Sequence, residues 1–170
     1  NTASQAVRAL TGLGADLMTL HGSGGSAMLK AAAVAAADEA RRLSVIRPKL
    51  LAVTVLTSID ADEWKKLGHT NSISQSVLTM AGAAKAAGMD GTVSSPHEAA
   101  EIRRLNGPDF LIVTPGIRPS FAQSDDQKRI TTPKEAVQNG ATHLVVGRPI
   151  TKAADPQEAA RAIAEEIREV

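Results

Sequence analysis

Short apolar runs alternate along the chain with stretches whose apolar residues recur every three or four positions. The runs lie at 16–21 (DLMTLH), 49–56 (KLLAVTVL), 91–95 (GTVSS), 109–115 (DFLIVTP) and 142–148 (THLVVGR). They are short and mostly β-branched or apolar, with little polar alternation, which predicts strands buried on both faces as in a parallel sheet. Between them, Leu29, Ala32, Ala33, Ala36, Ala40 and Leu43 form one helical stripe. Ile73, Val77, Met80, Ala84 and Ala87 form another, with Gly88 placed to end it.

Three stretches carry the same helix-start signal: SPHE (95–98), TPKE (132–135) and DPQE (155–158). Each offers a capping side chain, proline at the first helical position and glutamate two residues later. Asp60, Asp62 and Glu63 read as the acidic first turn of a further helix. The predicted order is α-β-α-β-α-β-α-β-α-β-α. Repeated βα units mean a parallel sheet under helical cover, either an open doubly wound α/β sheet or a (β/α)8 TIM barrel. A complete barrel needs on the order of 250 residues. The 170 residues here, with five strands, would then supply about five of the eight βα units. No linker or low-complexity stretch divides residues 1–170, so a single domain is expected. The chain opens on Asn1-Thr2 and not on methionine, which raises the expectation of further units upstream.

Composition narrows the function. Net charge is +1, so no overall field favours nucleic acid or an anionic membrane. Aromatic residues are 2% of the chain, poor material for stacking on single-stranded bases. The longest weakly polar stretch, AMLKAAAVAAA, is interrupted by Lys30 and predicts no bilayer-spanning helix. Cysteine is absent, which excludes a disulfide scaffold and thiolate metal sites and suits a reducing cytoplasm. His21, His69, His97 and His143 show no close metal-ligand spacing.

Two neighbouring strand ends carry the candidate chemistry. In VVGRPI, a strand delivers Gly147 and Arg148 to its carboxyl end. Glycine lets the backbone approach an anion and arginine adds a bidentate charge, a pattern that parallel barrels use for phosphate. The preceding strand leaves through TPGIRP into a long polar loop, TPGIRPSFAQSDDQKRIT (114–131). Connections of that length are usually functional or disordered. Arg118 sits near the strand end, and Gln127 could donate its amide to a phosphate oxygen. TVLTS (54–58) places Thr54 and Thr57 near another strand end, where hydroxyls suit the polar edge of a heterocycle. HGSGGS (21–26) matches no Walker or dinucleotide pattern and reads as a turn before a helix.

Taken together, the opening NTA, HGSGG, AVTVLTS, LIVTPGIRP with DQKRI, and VVGRPI resemble bacterial orotidine 5′-phosphate decarboxylases in order and spacing. The resemblance implies a (β/α)8 barrel that works as a cytoplasmic homodimer with sites at the interface. It also implies conversion of orotidine 5′-monophosphate to UMP and CO2, in pyrimidine biosynthesis, with neither metal nor organic cofactor. By the same resemblance Gly147, Arg148, Gln127 and Arg118 hold the phosphate and Thr57 bonds the pyrimidine edge. Thr2 would reach the ligand of the neighbouring subunit. The family's Asp-x-Lys-x-x-Asp array, whose lysine protonates the carbanion, is absent here and expected upstream of Asn1. The chain by itself is therefore expected to bind substrate and to be inactive. Two other readings stay open: another phosphate-binding barrel lyase such as a sugar-phosphate decarboxylase, and a non-catalytic partial barrel that binds nucleotide.

Overall fold

The computed structural model of the chain describes residues 1–119, 121 and 131–168. Helix α1 (Thr2–Gly12) leads into β1 (Leu17–His21), α2 (Gly25–Leu43) and β2 (Lys49–Val53). Then follow α3 (Ala61–Lys66), α4 (Ile73–Ala86), β3 (Gly91–Val93), α5 (Ala99–Asn106) and β4 (Leu111–Thr114). The last elements are α6 (Pro133–Gln138), β5 (His143–Leu144), α7 (Arg148–Thr151) and α8 (Pro156–Arg168). All strand pairs are parallel, and the sheet order is β1-β2-β3-β4-β5.

That order decides between the two architectures left open by periodicity. A doubly wound sheet reverses its strand order at a switch point and carries helices on both faces. Here each strand adds beside the one before it, which is the winding of a (β/α)8 barrel.

The register separates the two faces of the arc. Leu50, Ala52, Thr92 and Ile112 share one side, because Ala52 stands opposite Thr92, and Thr92 opposite Ile112. That side meets the helices. Met18, Leu50 and Ala52 pack with Leu29, Ala32 and Ala36 of α2, while Ile112 packs with Val77, Ala81, Ala99 and Ile102. Alanines on α2 let the helix lie close to the sheet, so the interior is dense without large side chains. The other side is concave. It presents Leu51, Val53, Val93, Leu111 and Val113 in the middle, and the exposed Leu17, Thr19, His21 and His143 on the outer strands. Gly91 belongs to this concave side. A methyl group there would overlap the Leu111 carbonyl, so only glycine lets β3 and β4 pair at this point.

Local chemistry sets the boundaries. Thr132 forms a full capping box with Glu135, and Asp155 accepts from the backbone N–H of Gln157 and Glu158. The SPHE start differs from expectation. The Ser95 hydroxyl accepts from His97 N–H, two residues on, which tightens Pro96–Glu98 into a 3₁₀ turn and delays α5 to Ala99. Gly88 ends the α4 stripe with φ +84°. Strands β2 to β5 end before their apolar runs do, because the residues past each end turn into loops at one edge, whereas β1 loses only Asp16 at its start. Among the described residues, no helix is long and apolar enough to cross a membrane.

Two polar staples hold the amino-terminal edge of the sheet. Arg103 donates to the carbonyls of Gly107, Pro108, Phe110 and Gly140, tying the end of α5 to β4 and to the turn before β5. Asp90 accepts from Leu50 N–H at 2.9 Å, from Arg47 Nη1 at 2.7 Å and from Lys49 Nζ at 3.3 Å. Burial pushes its carboxyl up, but those donors outweigh burial and hold it below the ordinary aspartate value. The stability Asp90 contributes is thus complete above the unfolded aspartate value and disappears as pH falls through the lower folded one. Asp90→Asn should cost about 1–3 kcal/mol at neutral pH and flatten the acid limb of a urea-unfolding series. An unchanged acid limb would show that Asp90 is not its source.

Candidate active site

Because all strands run the same way, their carboxyl ends and the loops that follow gather along one edge. A cavity of about 270 Å³ opens there, lined by Val53, Val55, Thr57, Ser58, Ser94 and Pro115 among others. Its walls are mostly apolar, with hydroxyls at the rim, a surface that suits a flat heterocycle with a polar edge. Thr57 is on the cavity wall and half-buried. Thr54, its partner in the sequence pattern, is not available in the same way. Its hydroxyl donates to the Val93 carbonyl at 3.0 Å, next to Ser94 Oγ at 3.4 Å. Ser94 lines the cavity and was not singled out from sequence, where it is one serine of a pair before a helix.

The loop after β4 places Arg118. Ile117 forms a parallel bridge with Thr131, and Arg118 N–H donates to the Thr131 carbonyl at 2.9 Å. These bonds close the neck of the long polar loop. The Arg118 side chain is only 8% exposed. Nη1 donates to the carbonyl of Ile117 at 3.0 Å, and the enclosed Nη2 has no partner among the described residues. A buried guanidinium with one neutral acceptor is costly, and an anion is the partner that would offset the cost.

Strand β5 lies beside β4, so the next loop emerges beside that of Arg118. Val145 N–H donates to the Thr114 carbonyl at 2.9 Å, which extends the pairing toward Gly147. Gly147 is exposed and precedes α7, whose first residue, Arg148, is half-buried. Arg118, Gly147 and Arg148 thus stand on adjacent loops at the cavity's edge of the sheet. Gln127 lies outside the described residues. Thr2 begins α1 and is exposed, with no contact to the cavity among the described residues. HGSGGS forms a 3₁₀ turn at Gly22–Gly24 that leads into α2.

A larger cleft, of about 450 Å³, lies at the opposite edge around Lys49, Lys85, Asp90 and Asp109. Three of these charged groups are engaged: Asp90 and Lys49 as described, and Lys85 by donation to the Asn106 carbonyl at 2.7 Å. In parallel barrels the amino-terminal edge serves stability and the carboxyl edge serves chemistry, so the smaller cavity is the candidate.

Comparison with known proteins identifies the family. Residues 1–163 match the model of the family described as "Orotidine 5'-phosphate decarboxylase / HUMPS family". The chain belongs to that family. It is 49% identical over 168 residues to the orotidine 5′-phosphate decarboxylase of Moorella thermoacetica, and 52% identical over 167 residues to that of Trichlorobacter lovleyi. These alignments cover 98% of this chain and 67% and 68% of the two relatives, so the chain spans about two thirds of their length. Among solved structures, the Lactobacillus acidophilus orotidine 5′-phosphate decarboxylase superposes with a TM-score of 0.84 at 40% identity. That superposition covers 98% of this chain and 70% of the other. The enzyme of Pyrococcus horikoshii OT3 gives 0.68 at 25% identity, over 100% of this chain and 69% of its own.

Arg118 yields a test of opposite signs. Arg118→Met should leave the unliganded protein as stable or more stable by about 1–2 kcal/mol, since it removes a buried charge that lacks an anion. Inorganic phosphate should stabilise the wild-type protein in denaturant unfolding and fail to stabilise the variant. A loss of stability without ligand would make Arg118 a structural residue.

Proposed function

We propose that this chain carries the phosphate- and pyrimidine-binding part of an orotidine 5′-phosphate decarboxylase, a carboxy-lyase of pyrimidine biosynthesis that makes UMP and CO2. The observation that carries the reading is the buried, half-satisfied guanidinium of Arg118, at the neck of the loop beside Gly147 and Arg148. Family membership supplies the reaction, and the site supplies a place for each end of the substrate.

In this reading the 5′-phosphate sits between the loops after β4 and β5, held by Arg118, Gly147 and Arg148, with Gln127 reaching it from the long loop. The pyrimidine enters the apolar cavity with its polar edge on Thr57. Decarboxylation breaks the bond between C6 and the carboxylate and leaves the electron pair on C6, where a proton must be delivered. The sequence holds no Asp-x-Lys-x-x-Asp array, so the proton donor of the family is not among these residues. What this part contributes is binding energy from a phosphate remote from C6. That energy can hold the site closed and so lower the barrier of the chemical step. Apolar walls exclude water from the developing carbanion. Thr2 serves the neighbouring subunit of a cytoplasmic homodimer. A sugar-phosphate lyase would leave the cavity at Thr57 without an occupant, which favours the nucleotide.

The test compares substrates with and without phosphate in the full-length enzyme. Arg148→Ala should lower kcat/KM for orotidine 5′-monophosphate about a thousandfold, and for orotidine less than about tenfold. Equal losses for the two substrates would show that Arg148 acts through the fold and not through phosphate.

A further inference from the structure

The connection from β2 to α4 carries Thr57 near its start and has little regular structure of its own. A turn closes from Ile59 N–H to the Leu56 carbonyl, and Asp60 caps α3. Six residues of helix are too few to persist unaided. What holds the segment is Trp64. Its indole is buried in the apolar cluster that also holds Val55 and takes up Ile59, both from the beginning of the connection. At the far end, Nε1 donates to the Asn71 carbonyl at 3.1 Å, one residue before the Ser72 cap of α4. On the outside, the His69 ring stacks on the indole, with centroids 3.5 Å apart and planes 9° from parallel.

One side chain therefore links the apolar cluster at the start of this connection to the backbone at its far end. Val55, packed with that side chain, also lines the cavity, and Thr57 follows two residues later on the same wall. We infer that Trp64, latched by His69, is a positioning residue that sets the place of Thr57 and so the fit of the pyrimidine. This rests on the nucleotide reading of the site and adds to it the device that shapes its base end. Pro115 of the loop after β4 meets the same cavity, but Arg118, Gly147 and Arg148 do not line it, so loosening the connection acts on the base end of the ligand more than on its phosphate.

The experiment titrates the full-length protein with UMP and with ribose 5-phosphate by calorimetry. Trp64→Phe keeps most of the packing and removes the Nε1 donor. It should weaken UMP about fivefold, the scale of one hydrogen bond, and leave ribose 5-phosphate within about twofold. His69→Ala should act in the same direction, and His69→Phe, which keeps a stacking ring, should restore binding. The emission lost in Trp64→Phe, taken as the difference from wild type, reports on Trp64, and it should change on saturation with UMP and not with ribose 5-phosphate. Equal weakening of both ligands, or of neither, would overturn the positioning role while leaving the nucleotide reading intact. A wild-type protein that binds UMP no better than ribose 5-phosphate would overturn both.

Discussion

Parallel pairing in chain order is the constraint on which the rest of this molecule depends. Each strand adds beside its predecessor, so every crossover turns the same way and the helices collect on one side. The consequence is chemical as well as architectural. Residues far apart in sequence, Thr57, Arg118 and Arg148, arrive on one edge because each follows a strand that ends there. Gly91 shows how tightly the pairing is specified: the Leu111 carbonyl occupies the space that any other residue would need.

The two edges of the sheet handle charge differently, and the contrast locates function. At the amino-terminal edge, charge is satisfied within the chain: Asp90 has three donors and Arg103 has four carbonyls. At the carboxyl edge, Arg118 is more buried than these groups yet has one neutral acceptor for its guanidinium among the described residues. An incompletely paired cation at this edge is what an anionic ligand would complete. An anion bound there would stabilise the site, and in the proposed function phosphate recognition and local order become one equilibrium.

Much of this was legible in the sequence. Apolar runs with little polar alternation located all five strands, because a parallel sheet is covered on both faces. The capping patterns at Thr132 and Asp155 located helix starts from local chemistry alone. Barrel against open sheet was not legible from periodicity, since strand order is a tertiary fact that βα repeats leave undetermined. Nor was the difference between Thr54 and Thr57. They occupy similar places in TVLTS, but Thr54 still bonds the Val93 carbonyl of the neighbouring strand, while Thr57 has left the ladder for the cavity wall. The role of Trp64 was hidden for the same reason: an indole that joins Val55 to Asn71 depends on a fold in three dimensions.

In the proposed function one nucleotide spans the carboxyl edge, phosphate at the β4 and β5 loops and base at the β2 turn. A crystal structure of the full-length protein with UMP tests it most directly. The account predicts phosphate oxygens bonded to Arg118 and Arg148, and the uracil edge on Thr57 within the cavity beside Val53 and Val93. Nucleotide seated instead in the cleft around Lys85 and Asp90, with Arg118 still lacking an anion, would contradict it.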